Sequence, residues 1–402
     1  MTRIRILLFA ITVVVVFALG TLIFLYAKGY RLDGDTKKFS PNGLLVIKSV
    51  PDGAQVFING DLKTATNSTI PLVPDTYDVS VRKEGYLPWR KRLIIEKEVV
   101  TEASAHLFKS ALSLSAVTYS GVETIIPSYD LSKISYLVSE RSAGEENQGL
   151  WLIENANLPL GFSRDPRRIT DGNLAGSTWV WSPDGRQILL TNLQGSYLFD
   201  TGTFTPQSQK VNVTAQKEEI LENWEEEENK RITDQMKKLP EELRNIINTK
   251  THAISFSPDE EMIVYTASSS ATIKENLIKP LPGSSTQKER RDIEPEKTYV
   301  YDLKEDKNYL IDEGDGELII EGGYLNKAVR RISWYPSSRH LILAEEGKIT
   351  IIDHDGTNRQ TVYSGSYQSP HAYPTLSLDR LIILTNLGAN NSPPNIYSLS
   401  LK

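Results

Sequence analysis

Hydrophobic and polar positions change their rhythm three times along this chain, and each rhythm predicts a different element. An apolar run closes at Ala27 after Arg3 and Arg5. At 1.5 Å per residue it is long enough for a helix across a hydrocarbon core of about 30 Å. Apolar and polar residues then alternate over Leu44–Ser49, Ala54–Ile58, Tyr77–Arg82 and Arg92–Ile95, the period of half-buried strands. Asn59-Gly60 supplies the chemistry of a tight hairpin turn between them. From Leu112 onwards, short apolar strands recur around a turn signal. Trp179-Val180-Trp181-Ser182-Pro183-Asp184-Gly185 before Ile188–Leu190 returns as Ile254–Asp259, Ile332–Ser337, Pro374–Asp379 and, earlier, Tyr129–Ser132. Serine first, proline second and glycine fourth suit a type I turn, so each copy reads as a hairpin.

The copies stand 53, 75, 78 and 42 residues apart, measured on Asp130, Pro183, Pro258, Pro336 and Leu378. Two segments interrupt the rhythm, a charged helical stretch at 215–249 and a polar loop at 268–297. Without them the long intervals fall near the roughly 40–45 residues of a propeller blade. The expected architecture is therefore mainly β. A transmembrane helix (1–28) and a linker (29–42) lead to a small β-domain (43–109), then to a β-propeller (110–402). The count is five blades, with room for a sixth degenerate one, and strands between Leu112 and Ser128 are expected to complete the last.

Two family resemblances accompany this reading. Ser49, Pro51-Asp52-Gly53-Ala54, Val56–Gly60, Pro74, Tyr77 and Gly85-Tyr86 resemble a PEGA domain. Thr64–Pro71 lacks the family's glycine, and Asp75 replaces the glycine expected before Tyr77. That resemblance implies an extracytoplasmic module that holds proteins at a cell surface, and it brings no catalytic residues. The repeated hairpins resemble the TolB-type, WD40-like propeller repeat, which implies four strands per blade.

Composition narrows the function. The net charge of −6 argues against a nucleic-acid surface, and the absence of cysteine removes disulfides, thiol catalysis and zinc–thiolate sites. No Gly-x-Ser-x-Gly elbow and no His-Glu-x-x-His spacing occurs, and the five histidines are scattered singly. No enzyme activity and no cofactor are expected. Asp353–Asp355 and Asp312–Glu317 offer oxygen ligands for calcium, though the first is also plain turn chemistry.

The candidate partner-binding residues lie in two places. In 215–249, Ile220, Trp224, Ile232, Met236, Leu239, Leu243, Ile246 and Ile247 recur near helical spacing beside the acidic block Glu225, Glu226, Glu227 and Glu228. This stripe reads equally as a docking surface, with Trp224 and Met236 as contacts, or as a face folded back on the propeller. In the β-domain, Tyr86 and Trp89 next to Arg90–Arg92 offer a glycan or acidic-polymer surface, or else a core tyrosine, a half-buried tryptophan and solvated charges.

The expected role is a membrane-tethered binding or scaffold protein of a bacterial cell envelope, contacting a protein or glycan through the propeller face and the helical insertion. An envelope sensor or assembly factor is the alternative, and a carboxylate-dependent glycan-active enzyme the second. The expected location is the cytoplasmic membrane, single-pass, with a cytoplasmic N-terminus and extracytoplasmic C-terminal domains. Lys28, Arg31, Lys37 and Lys38 weigh against that orientation on charge alone.

Overall fold

The computed structural model describes residues 2–27, 30–32, 39–155, 165–279, 287–319, 328–389 and 392–402. Lys28, Lys37, Lys38 and most of the expected linker lie outside them. Helix α1 (Thr2–Ala27) holds the apolar run. Its window Leu8–Leu25 has a mean hydropathy of 2.8 and buries none of its residues against protein. It is long and apolar enough to span a membrane or to act as a signal sequence.

By contact density the chain forms two units, Met1–Leu107 with Pro280–Gln287, and Phe108–Lys279 with Lys288–Lys402. In the first unit, Gly43–Val50 runs between Ser68–Leu72 and a parallel strand, Val100–His106. A second sheet carries Asp61–Ala65, Gln55–Ile58, Asp75–Arg82 and Trp89–Ile95 in that order. Alternate residues enter a shared core, with Leu45 and Ile47 from one sheet and Val56, Val79, Val81, Leu93 and Ile95 from the other. The pleat enforces this period of two, so one face of each strand is apolar.

Among the described residues, the second unit contains five four-stranded antiparallel sheets that follow one another in sequence, the arrangement of a β-propeller. Their first strands are Ile125–Pro127, Thr178–Trp181, Thr251–Phe256, Ile332–Trp334 and Ala372–Pro374. The fifth sheet takes its outermost strand, Leu114–Ala116, from the start of the unit, where it pairs with the last strand, Asn395–Ser400. Pairing first with last hides the edge that an open sheet would leave. Ile125–Pro127, within the segment expected to complete this sheet, instead opens the first.

The repeated hairpin has one hydrogen-bond scheme. Gly185 N–H donates to Ser182 O at 2.9 Å, closing the turn. Ser182 Oγ donates to Asp184 Oδ1 at 2.6 Å and accepts from Gln187 N–H at 2.9 Å. Ser257 and Asp259 repeat these contacts, as do Ser128 and Asp130. In the fourth copy Ser337 occupies the aspartate position and bonds His340 Nδ1 at 2.8 Å. At the left-handed corner stand Leu131, Gly185, Glu260, Ser338 and Leu378, with φ of 57° to 66°. Glycine alone adopts that conformation without strain.

Neighbouring sheets pack face to face. Trp179 and Trp181 of the second sheet join Leu150, Leu152 and Ile169 of the first, and Trp181 Nε1–H donates to Ile126 O at 3.0 Å. Trp334 repeats that bond between the fourth and third sheets, to Ser255 O at 3.0 Å. Tyr373 and Ile382 of the fifth sheet meet Ile134 and Tyr136 of the first. The third sheet has helices on its other face. Between the second and third sheets the chain forms α3 (Lys217–Met236) and α4 (Glu241–Lys250), after a single-turn α2 at Glu140–Ala143. Met236, Leu239, Leu243 and Ile247 lie in one cluster with Ile263, Tyr265, Tyr299 and Tyr301.

Of the expected polar loop 268–297, residues 280–286 lie outside those described, and the rest includes paired strands. Ala271–Thr272 pairs with Asp292–Ile293, and Ile273 and Ile293 are buried in the same cluster as α4.

Candidate interaction surface

Helix α3 begins with Glu218 and Glu219 in its first turn, where the helix dipole favours negative charge. Apolar residues at Ile220, Trp224, Ile232 and Met236 mark one side, and Glu228 falls into the same four-residue series. That position decides its surroundings. Glu225, Glu226 and Glu227 face solvent, whereas Trp224 and Glu228 are half-buried. Tyr129, at the turn of the first sheet, faces the Glu228 carboxylate, and Arg231 Cζ lies 5.9 Å from its ring centroid. Burial first, and Glu228 second, push the phenol far above its ordinary range.

The other end of α3 reaches the turn of the third sheet. Gln235 Nε2–H donates to Glu260 Oε1 at 2.9 Å, and Lys238 pairs with Glu260 Oε2. Hydrogen bonds from Gln235 and Lys238 hold the Glu260 carboxyl below its usual range. An open groove of about 340 Å³ runs along this side of the helix, lined by Glu227, Lys230, Arg231, Asp234 and Glu260 among others.

Two sequence candidates change character in the structure. Met236 is 5 % exposed, because α3 turns its last apolar position onto the third sheet, so it is a core residue and no docking contact. Trp89 is 2 % exposed for a similar reason. Its strand starts at Trp89 rather than Arg92, placing Trp89, Leu93 and Ile95 on the inward face. Tyr86 is half-buried against the same core. Arg92 Nε–H donates to its cross-strand neighbour Asp78 at 2.7 Å, and that hydrogen bond lowers the Asp78 pKa. The structure therefore keeps Trp224 and Glu225–Glu228 together on α3, and it separates Tyr86 from Trp89 by burial.

The acidic loops are occupied by the protein itself. Asp312 pairs with Arg331, and with Arg359 at 3.1 Å. Asp353 accepts from Asn358 Nδ2–H at 2.9 Å and stands 3.4 Å from His340 Nε2. Among the described residues, no group of three or more His, Asp or Glu side chains is placed to hold a metal ion. Ser337, His340 and Asp353 do form a Ser–His–Asp series, with His340 4 % and Asp353 6 % exposed. Both ring nitrogens are thus engaged inside the fourth-sheet turn, where they brace the hairpin.

Sequence reading missed Tyr129, Arg231 and Glu260. The available signal was the acid at 228, which interrupts an otherwise apolar series and so requires a polar group opposite it.

Residues 42–111 match the PEGA domain family. A search of curated proteins finds no match. Solved structures similar to the chain include a putative TolB from Agrobacterium tumefaciens, at 12 % identity and a TM-score of 0.23, covering 70 % of this chain and 79 % of that one. TolB from Acinetobacter baumannii is similar at 12 % identity and a TM-score of 0.20, over 94 % and 67 % of the two chains. An oligogalacturonate lyase in complex with manganese is similar at 9 % identity and a TM-score of 0.23, over 86 % and 81 %. At such scores none of these proteins lends its function to this one.

Proposed function

We propose that the chain is a membrane-tethered scaffold of a bacterial cell envelope, holding a protein or glycan partner against the outer side of α3. In this reading the five four-stranded sheets are five blades, and α3 with α4 is an insertion between the second and third. Helix α1 is a retained single-pass anchor in the cytoplasmic membrane, with its N-terminus in the cytoplasm and both β-units outside. The PEGA match agrees with a surface-attachment role for the first unit. The protein binds and positions its partner rather than transforming it.

One observation carries the proposal. Closing the sheets does not require Glu225, Glu226 and Glu227, yet α3 presents all three to solvent on a helix fixed to the third sheet at its far end. Exposed like charge concentrated on one short segment steers and orients a partner of opposite charge.

The test is charge reversal at Glu225, Glu226 and Glu227 to Lys in the full-length protein, followed by partner capture from its native membranes. Capture should fall at least about tenfold, a loss of roughly 1.4 kcal/mol. Wild-type capture should also weaken with added salt, since the charges are exposed. Undiminished capture by the reversed helix would overturn the reading. External protease on intact cells should cut both β-units, and protection of both until lysis would reverse the orientation.

A further inference from the structure

The two halves of α3 are held by different kinds of force. From Lys217 to Arg231 no residue is buried, and only Lys217, Ile220, Leu221, Trp224 and Glu228 are even half-buried. Beyond that point Met236 and Leu239 sink into the cluster on the third sheet, followed by Leu243 and Ile247 of α4. The first half meets the sheets at Tyr129, through the Arg231 guanidinium at 5.9 Å from the ring and through Glu228. The second half is fixed by apolar burial and, at its end, by Glu260.

The first half gains little from its own charges. Glu218, Glu222 and Glu226 repel at four-residue intervals, which offsets the favourable Glu226–Lys230 and Glu227–Arg231 spacings. A segment of this length is marginal in water without tertiary support. Its order therefore depends on what touches it.

We propose that residues 217–231 form a releasable arm, latched to the first sheet at Tyr129 and hinged where Met236 and Leu239 join the third. Release takes Arg231 and Glu228 away from the partly exposed Tyr129, removes Glu227, Lys230 and Arg231 from the groove's wall, and frees the acidic segment to refold against something else. The arm switches between order and disorder, while α4 stays in place. This conclusion goes beyond the scaffold reading and stands without it.

Hydrogen exchange followed by mass spectrometry on the full chain in detergent micelles tests the latch. In the wild-type protein, amides of 217–230 should exchange at least about 100-fold faster than those of α4, as opening costs approach zero at fraying segments. Tyr129→Ala and Arg231→Ala should each accelerate the arm further by about 5-fold, the loss expected for a partly exposed cation–π contact. Peptides covering 241–250 and 262–267 report whether each variant keeps its fold. An arm as protected as α4, or an arm indifferent to both variants, overturns the proposal. A rise in exchange shared equally by arm, α4 and third sheet also overturns it, since the helices would then move as one body with the core.

Discussion

Leu243→Ala tests whether α4 belongs to the core. Leu243 is fully buried among Met236, Leu239 and Ile247 and the apolar side chains of the third sheet. Truncation removes about three carbon groups, worth roughly 2.4 kcal/mol at about 0.8 kcal/mol each. The surrounding side chains cannot all collapse into the space. Tyr265 is pinned by its hydroxyl to Asn308 Oδ1 at 2.7 Å, and Tyr299 stacks on it at 5.8 Å between ring centroids. A cavity contribution therefore adds to the transfer loss, giving about 3–4 kcal/mol within the 2–5 kcal/mol range of such substitutions. Trp224→Ala, at a half-buried position on the outer half of α3, should cost about 1 kcal/mol or less. Urea unfolding of the full chain in micelles, followed by tryptophan fluorescence, measures both. Trp179, Trp181 and Trp334 report from inside the second unit, and the midpoint should fall with little change in slope. On the same reasoning, removing residues 216–248 should strip cover from Ile263, Tyr265, Tyr299 and Tyr301 and cause aggregation. A cost below about 1 kcal/mol for Leu243→Ala, or a soluble, cooperatively unfolding deletion variant, would refute the packing argument.

Trp334→Phe should cost about 1–3 kcal/mol, because Ser255 O loses the indole N–H it accepts, and thermal unfolding of the variant measures this. Acid should destabilise the second unit. At Asp184 the Ser182 hydrogen bond lowers the folded-state pKa; at Asp259 burial raises it, but Ser257 and the Glu261 N–H outweigh that. A lowered carboxylate pKa contributes stability above the unfolded value of about 3.9 and loses it as pH falls through the folded value. Stability measured from pH 6 down to pH 2 should therefore drop most steeply below about pH 4, and Asp184→Asn should flatten that slope. Alkaline carbonate should leave the full chain in the membrane pellet, and deletion of residues 2–27 should move it to the supernatant. Release of the intact chain by carbonate would show that α1 does not span the bilayer.

What the sequence alone determined was local. The apolar run of α1, the alternation of Gly43–Val50 and Asp75–Arg82, and the Ser-x-Asp hairpins are each specified by residues close together in the chain, so their period and turn chemistry were legible. The acidic block on α3 was legible too, because Glu225–Glu227 are consecutive in the chain. Tertiary structure decided what covers each apolar face. Helical period marks Met236, Leu243 and Ile247 as one stripe, but only the third sheet's outer face, with Tyr265 and Tyr299, makes that stripe core. Strand period cannot announce where a strand begins, and starting at Trp89 turned a candidate ligand-binding tryptophan inward. The pairing of Leu114–Ala116 with Asn395–Ser400 was legible from the incomplete last repeat, whereas its register and the meeting of Tyr129 with Arg231 join segments distant in sequence. Such contacts follow from the closing of the sheets around their axis, a many-body packing condition that no local pattern encodes.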